Sequence, residues 1–262
     1  MNNIEKDFIT RHSIKPSAND PESTLYPGIS KNGVELAQKR ATDILKILEE
    51  APANTIMFIG GCSDIKRTKT TAMIYGEEIK KIITTQKKED ILFFLLNDMQ
   101  GKGFTAKKDY LIKQINNNPN KKIIITLPLM LKELSFIGDF TDINHQFNEY
   151  TQALLKQSKG NETEALRLWF ANQGEIHNIK GPNPKIIAEK QLNGLKRLRT
   201  FINTKINNRP IIIAGIGHAW SLDALKVYLI NNGQITKKDF KETLNEKMVK
   251  ETEIIEINKK SN

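Results

Sequence analysis

Apolar residues along this chain recur with two alternating periods. Val34, Ala37, Ala41, Ile44, Leu45 and Leu48 stand three and four residues apart with Lys, Glu and Asp between them, which predicts an amphipathic helix. Ala72, Tyr75, Ile79 and Ile82 repeat that spacing over 69–83, and a further helix is expected over 220–230. Between the helices lie short runs without a polar face, at 7–10, at 55–59 closed by Gly60-Gly61, at 90–96 and at 210–215. A run that is apolar on both faces suits a strand covered by helices on both sides, hence a parallel one. Residues 253–257 alternate instead and read as a half-exposed edge strand.

Alternating strands and helices predict a three-layer α/β sandwich around a mostly parallel sheet. The span at about 99–208 is more polar and mainly helical, with amphipathic segments near 144–157, 162–171 and 186–206 and one strand-like run at 122–127. It is expected to form a largely helical cap, inserted into a single domain that covers 1–262 and with Trp169 and Phe170 filling its own core. At 262 residues and 39% hydrophobic content the chain is large enough to bury such a core.

Composition narrows the function classes. No run approaches the ~18 consecutive apolar residues that a bilayer span needs, and the first residues carry no apolar leader, so a soluble cytoplasmic protein is expected. One cysteine, Cys62, leaves no disulfide framework and no multi-cysteine metal site, and neither a metal nor a cofactor is expected. The formal net charge is +10, yet only seven of the 40 basic residues are Arg, and no dense basic run interleaves with aromatics. Nucleic acid is therefore not an expected partner, whereas a positive field does attract a phosphorylated small molecule or a phosphoprotein.

The candidate chemistry sits where predicted strands end. In open α/β sheets ligands bind outside the carboxyl ends of the strands, where helix N-termini also point. Arg11-His12-Ser13 closes the first strand, Ser63 to Arg67 follows the second, Asp98 the third and His218 the late one, so all are expected on one rim. Arg-His alone is a common dipeptide; two further segments, around Arg67 and around His218, make it a constellation. Two imidazoles, two guanidinium groups and a carboxylate suit phosphoryl transfer through a phosphohistidine. A neutral imidazole, with an ordinary pKa of about 6.5, offers a lone pair as nucleophile. Arginines hold the anionic oxygens, and a carboxyl group protonates the departing alkoxide and then activates water. Lys15 adds a cation near the pocket, and Trp220 is expected to wall it.

Ile9-Thr10-Arg11-His12-Ser13, the segment from Gly61 through Ser63 and Arg67 to Thr71-Ala72, and Gly215-Ile216-Gly217-His218-Ala219 resemble the three signature segments of the histidine phosphatase superfamily, the phosphoglycerate-mutase-like fold. The match covers roughly 7–83 and 209–230. It implies His12 as the nucleophile, Arg11 and Arg67 as phosphate clamps and His218 as a second phosphate-contacting histidine. Residues 96–101 resemble the stretch that supplies the proton donor in the mutase-like branch, with Asp98 in place of Glu. Ser13 stands where the family usually carries Gly, either to contact phosphate or to cap the loop. The implied activity is hydrolysis of a phosphomonoester; a mutase-like phosphotransferase and a phosphate-binding regulatory module remain open beside it.

Overall fold

A strand whose every residue is buried has to lie inside a sheet, and three runs meet that condition. The computed structural model describes residues 6–63, 65–95, 103–206 and 209–258. In chain order its elements are β1 (Lys6–Arg11), α1 (Lys31–Glu49), β2 (Ile56–Gly61), α2 (Lys66–Thr85), β3 (Ile91–Leu95), α3 (Phe104–Asn117), β4 (Lys122–Thr126), α4 (Glu149–Gln157), α5 (Glu162–Asn172), the short strands β5 (Glu175–Ile176) and β6 (Ile179–Lys180), α6 (Pro184–Asn203), β7 (Ile211–Gly217), α7 (Ala219–Ile230), α8 (Asp239–Glu242) and β8 (Ile254–Asn258). The fully buried strands β2, β4 and β7 are internal in a sheet of order β3-β4-β2-β7-β1-β8. Every pairing in it is parallel except that of the edge strand β8 with β1.

Residues of opposite parity on these strands bury on opposite faces. Phe8, Met57, Ile59, Ala214 and Ile216 pack under α1 and α2, with Ile44, Leu48 and Ile79. Ile9, Phe58, Ile123 and Ile213 pack on the other face against Leu195, Leu198 and Ile202 of α6 and Leu222 and Leu225 of α7. The three-layer α/β architecture is the one that the hydrophobic periodicity predicts.

The span expected as a cap divides differently. β4 takes a place in the main sheet between β3 and β2, and α6 covers a face of that sheet. The part of it that stays outside the main sheet is the stretch from 128 to 183, with α4, α5 and the β5-β6 hairpin. Its core of Phe140, Tyr150, Leu154, Trp169 and Phe170 is continuous with Trp220 and Val227 of α7 and Phe240 of α8. The cap is thus anchored on the helix that follows β7, not closed on itself.

One polar link holds the centre together. Asp7 of β1 accepts a bond from Arg199 Nε of α6 at 2.9 Å and from the Ile213 N–H of β7 at 2.8 Å, and Arg199 Nη2 bonds the other side of that carboxylate. Both side chains are about nine-tenths buried.

Candidate active site

The register brings three central strands to one edge together. Arg11 pairs with Gly217 across β1 and β7, and Gly61 pairs with Ile216 across β2 and β7, so these three strand ends stand side by side. Two glycines permit the close packing behind them. A Cβ on Gly61 would meet the Lys69 nitrogen of α2 at 2.8 Å, and one on Gly33 would meet the Ile14 carbonyl oxygen at 2.7 Å.

His12 is the first residue past β1, and its N–H donates to the Gly217 carbonyl at 3.0 Å. Its ring Nδ1 lies 2.7 Å from the Ser13 carbonyl oxygen. A carbonyl only accepts, so Nδ1 carries the hydrogen and Nε2 carries the lone pair. The ring is buried, and its pKa falls to about 3, through burial first and then the charge of Arg67, with Arg11 and Lys15 adding to it and the Ser13 bond opposing. His12 is therefore neutral throughout the physiological range.

His218 caps α7, with its ring centroid 5.3 Å from that of His12. Its Nε2 is 2.7 Å from Ser63 Oγ. The Ser63 oxygen already accepts the Ile65 N–H at 3.2 Å, and the Thr68 hydroxyl donates to the Ser63 and Ile65 carbonyls. Of the two acceptors within reach of the Ser63 proton, Thr68 Oγ1 at 3.5 Å and Nε2 at 2.7 Å, the nearer is Nε2, and a neutral ring that accepts there carries its hydrogen on Nδ1. That Nδ1 is buried without a partner. Burial first, then His12, Arg67 and Arg11, hold the His218 pKa well below the ordinary range.

Arg67 is the second residue of α2, whose N-terminus has no side-chain cap. Its Nε is buried without a partner, and the described residues give its guanidinium no hydrogen bond or ion pair. Burial lowers its pKa; the Glu162 carboxylate opposes that, and the Arg11 charge adds to it. A cation at a helix N-terminus, beside a second cation, is unfavourable unless an anion occupies the space. Arg11 is arranged otherwise. Nη1 donates to the Val249 carbonyl at 2.7 Å and Nη2 pairs with Glu251 at 2.9 Å, while Nε is buried and unpartnered.

The structure thus brings Arg11, His12, Arg67 and His218 together. Ser13 lies behind them: fully buried, its hydroxyl donates to the Gly33 carbonyl at 2.6 Å and its N–H to Thr71 Oγ1 at 3.0 Å, so its polar groups hold the loop to α1 and α2. Lys15 is more than half exposed and pairs with Glu162 of α5 at 2.5 Å, joining the loop to the cap. Asp98 lies outside the described residues. Trp220, expected as a wall of the site, stacks instead on Trp169 at 6.0 Å inside the cap core; the ring lying on His218 is Phe136, at 4.9 Å. Two carboxylates near the arginines, Glu162 and Glu251, carry no sequence signal, because each meets its partner from a distant segment outside any motif. Among the described residues no group of three or more His, Cys, Asp or Glu side chains is placed to hold a metal ion, and no helix is long and apolar enough to cross a membrane.

No protein-family model matches the chain, and no curated protein matches it. Solved structures do. The native structure of a mycobacterial glucosyl-3-phosphoglycerate phosphatase is 12% identical over 89% of this chain and 82% of its own, with a TM-score of 0.43. A structure described as mycobacterial hydrolase 1 is 11% identical over 97% and 89%, with a TM-score of 0.47. A second, mycobacterial hydrolase 2, is 13% identical over 89% and 75%, with a TM-score of 0.42.

Proposed function

We propose that this chain is a phosphatase of the histidine phosphatase type, hydrolysing a phosphomonoester through a phosphohistidine on His12 and requiring no metal. The observation that carries this reading is a set of buried N–H donors without partners, Arg11 Nε, Arg67 Nε and His218 Nδ1, gathered around an imidazole whose Nε2 holds a lone pair. Buried donors are normally satisfied, and three unsatisfied ones around a nucleophile describe a place for an oxyanion. His12 Nε2 attacks phosphorus, the P–N bond forms and the P–O bond to the alcohol breaks. The leaving oxygen takes a proton from a carboxyl group, a role the motif resemblance assigns to Asp98. Water then gives a proton to that carboxylate as it attacks phosphorus, the P–N bond breaks, and phosphate leaves with His12 neutral and the carboxyl group protonated again. Through both steps Arg11, Arg67 and His218 carry the charge of the equatorial oxygens.

The test is p-nitrophenyl phosphate in the presence of EDTA. Phosphate release is expected to survive the chelator and to be inhibited by vanadate. A protein that binds vanadate or phosphate but releases nothing between pH 5 and 8 would be a binding module, and the phosphatase reading would be lost.

The depressed His12 pKa adds a pH signature. Lowering a pKa keeps the ring unprotonated to lower pH, so kcat/KM, corrected for substrate ionisation, is expected to stay level from pH 7 to about pH 5. An ordinary imidazole would lose roughly 30-fold over the range below its pKa of about 6.5. An acid limb centred near 6.5 would show that His12 is not the buried neutral base described.

A further inference from the structure

We infer that the segment 249–253 is a positioning strap for Arg11, with Glu251 its charged fastening; this rests on the phosphatase reading and extends it to residues outside all three motifs. The strap engages Arg11 at four points. The Thr252 N–H donates to the Arg11 carbonyl at 3.1 Å and the Arg11 N–H to the Glu253 carbonyl at 3.4 Å. Nη1 and Nη2, the end-on edge of the guanidinium, go to the Val249 carbonyl and to Glu251. That arrangement leaves the side edge, with its buried and unpartnered Nε, as the donor available to a phosphate.

The strap is itself pinned. Asp223, fully buried in α7, accepts the Val249 N–H at 2.6 Å. Thr252 adopts φ of +59°, a left-handed conformation that a β-branched residue takes only where its surroundings impose it. Its N–H bond to Arg11 is part of what imposes it. Glu251 is a positioning residue in this scheme, because it acts on the reacting group through the arginine.

Glu251→Ala and Glu251→Gln are the tests, with thermal unfolding as a control, since Glu251 is about one-third exposed and tolerates exchange. For Glu251→Ala, kcat/KM on p-nitrophenyl phosphate is expected to fall about 10- to 100-fold, the cost of a misplaced clamp, and Glu251→Gln, which keeps an acceptor, to fall less. In an Arg11→Ala background the same substitutions are expected to have no further effect. Lower KM and higher activity in Glu251→Ala would make Glu251 a competitor of phosphate; an undiminished loss without Arg11 would make the strap merely structural. Either overturns the inference. Calorimetric titration with inorganic phosphate reads the strap separately from turnover: weaker binding in Glu251→Ala upholds it even for a wild type that hydrolyses nothing, and unchanged binding with unchanged turnover rejects it while the phosphatase reading stands.

Discussion

His12→Asn is expected to reduce turnover by about 10⁴-fold or more and to abolish formation of an acid-labile, base-stable phosphoenzyme, with the fold intact. Asn retains an amide N–H able to serve the Ser13 carbonyl, so the loop keeps its bond while the lone pair disappears. No neighbour is suited to take over. His218 Nε2 is occupied by Ser63 at 2.7 Å. Cys62 is fully buried at the end of β2, and burial pushes its thiol up to about 12, so it supplies no thiolate. Ser63 is itself buried and holds His218. Radiolabelled substrate, rapid acid or alkaline quench and gel filtration read the phosphoenzyme, and steady-state release reads the rate. Turnover within tenfold of wild type in the Asn variant would remove His12 from the role of nucleophile.

Arg199→Ala is expected to cost about 3–5 kcal/mol of stability, because it takes the paired guanidinium away from a carboxylate in the interior. Asp7 sits on β1 four residues before Arg11, where an apolar residue would be the ordinary choice; each of its oxygens accepts from Arg199, and one also accepts the Ile213 N–H. Replacing both partners together, as Asp7→Leu with Arg199→Met, is expected to recover most of that loss, since the cost lies in the unpaired charge rather than in the absence of the pair. Urea unfolding at pH 7 compares the variants, with the m-value checking that one transition is being followed. A loss below about 1 kcal/mol in Arg199→Ala would mean that water or another group already satisfies Asp7.

The two kinds of prediction draw on different parts of what is legible in the chain. Helix and strand identity are local. The three- and four-residue steps of α1 and α2, the two-faced apolar runs of β2 and β7, and the alternating edge strand β8 all appear in the structure where the pattern places them. The run that became β4 shows why position in the fold is harder to read. Its five residues are all buried, as a central strand's should be, yet nothing in their order says that they pair with β2 and β3 instead of belonging to the polar span around them. Strand neighbours are chosen by the whole chain.

Arg11, His12, Arg67 and His218 are named by the sequence because each ends a strand or opens a helix, and strand ends in a parallel sheet share one rim. How their hydrogens are spent was left to tertiary contacts. Ser13 turns its hydroxyl to Gly33, Ser63 reaches His218 across 155 residues, Lys15 finds Glu162 across 147, and Val249 meets Arg11 across 238. Such pairings carry no period and no fixed spacing, since they depend on where separate segments come to rest. The chain by itself determines the α/β architecture and that Arg11, His12, Arg67 and His218 stand at strand ends and helix starts, because both follow from local hydrophobic pattern. Only the packed structure decides that β7 lies between β1 and β2, which lone pair His12 offers, and which edge of Arg11 remains open.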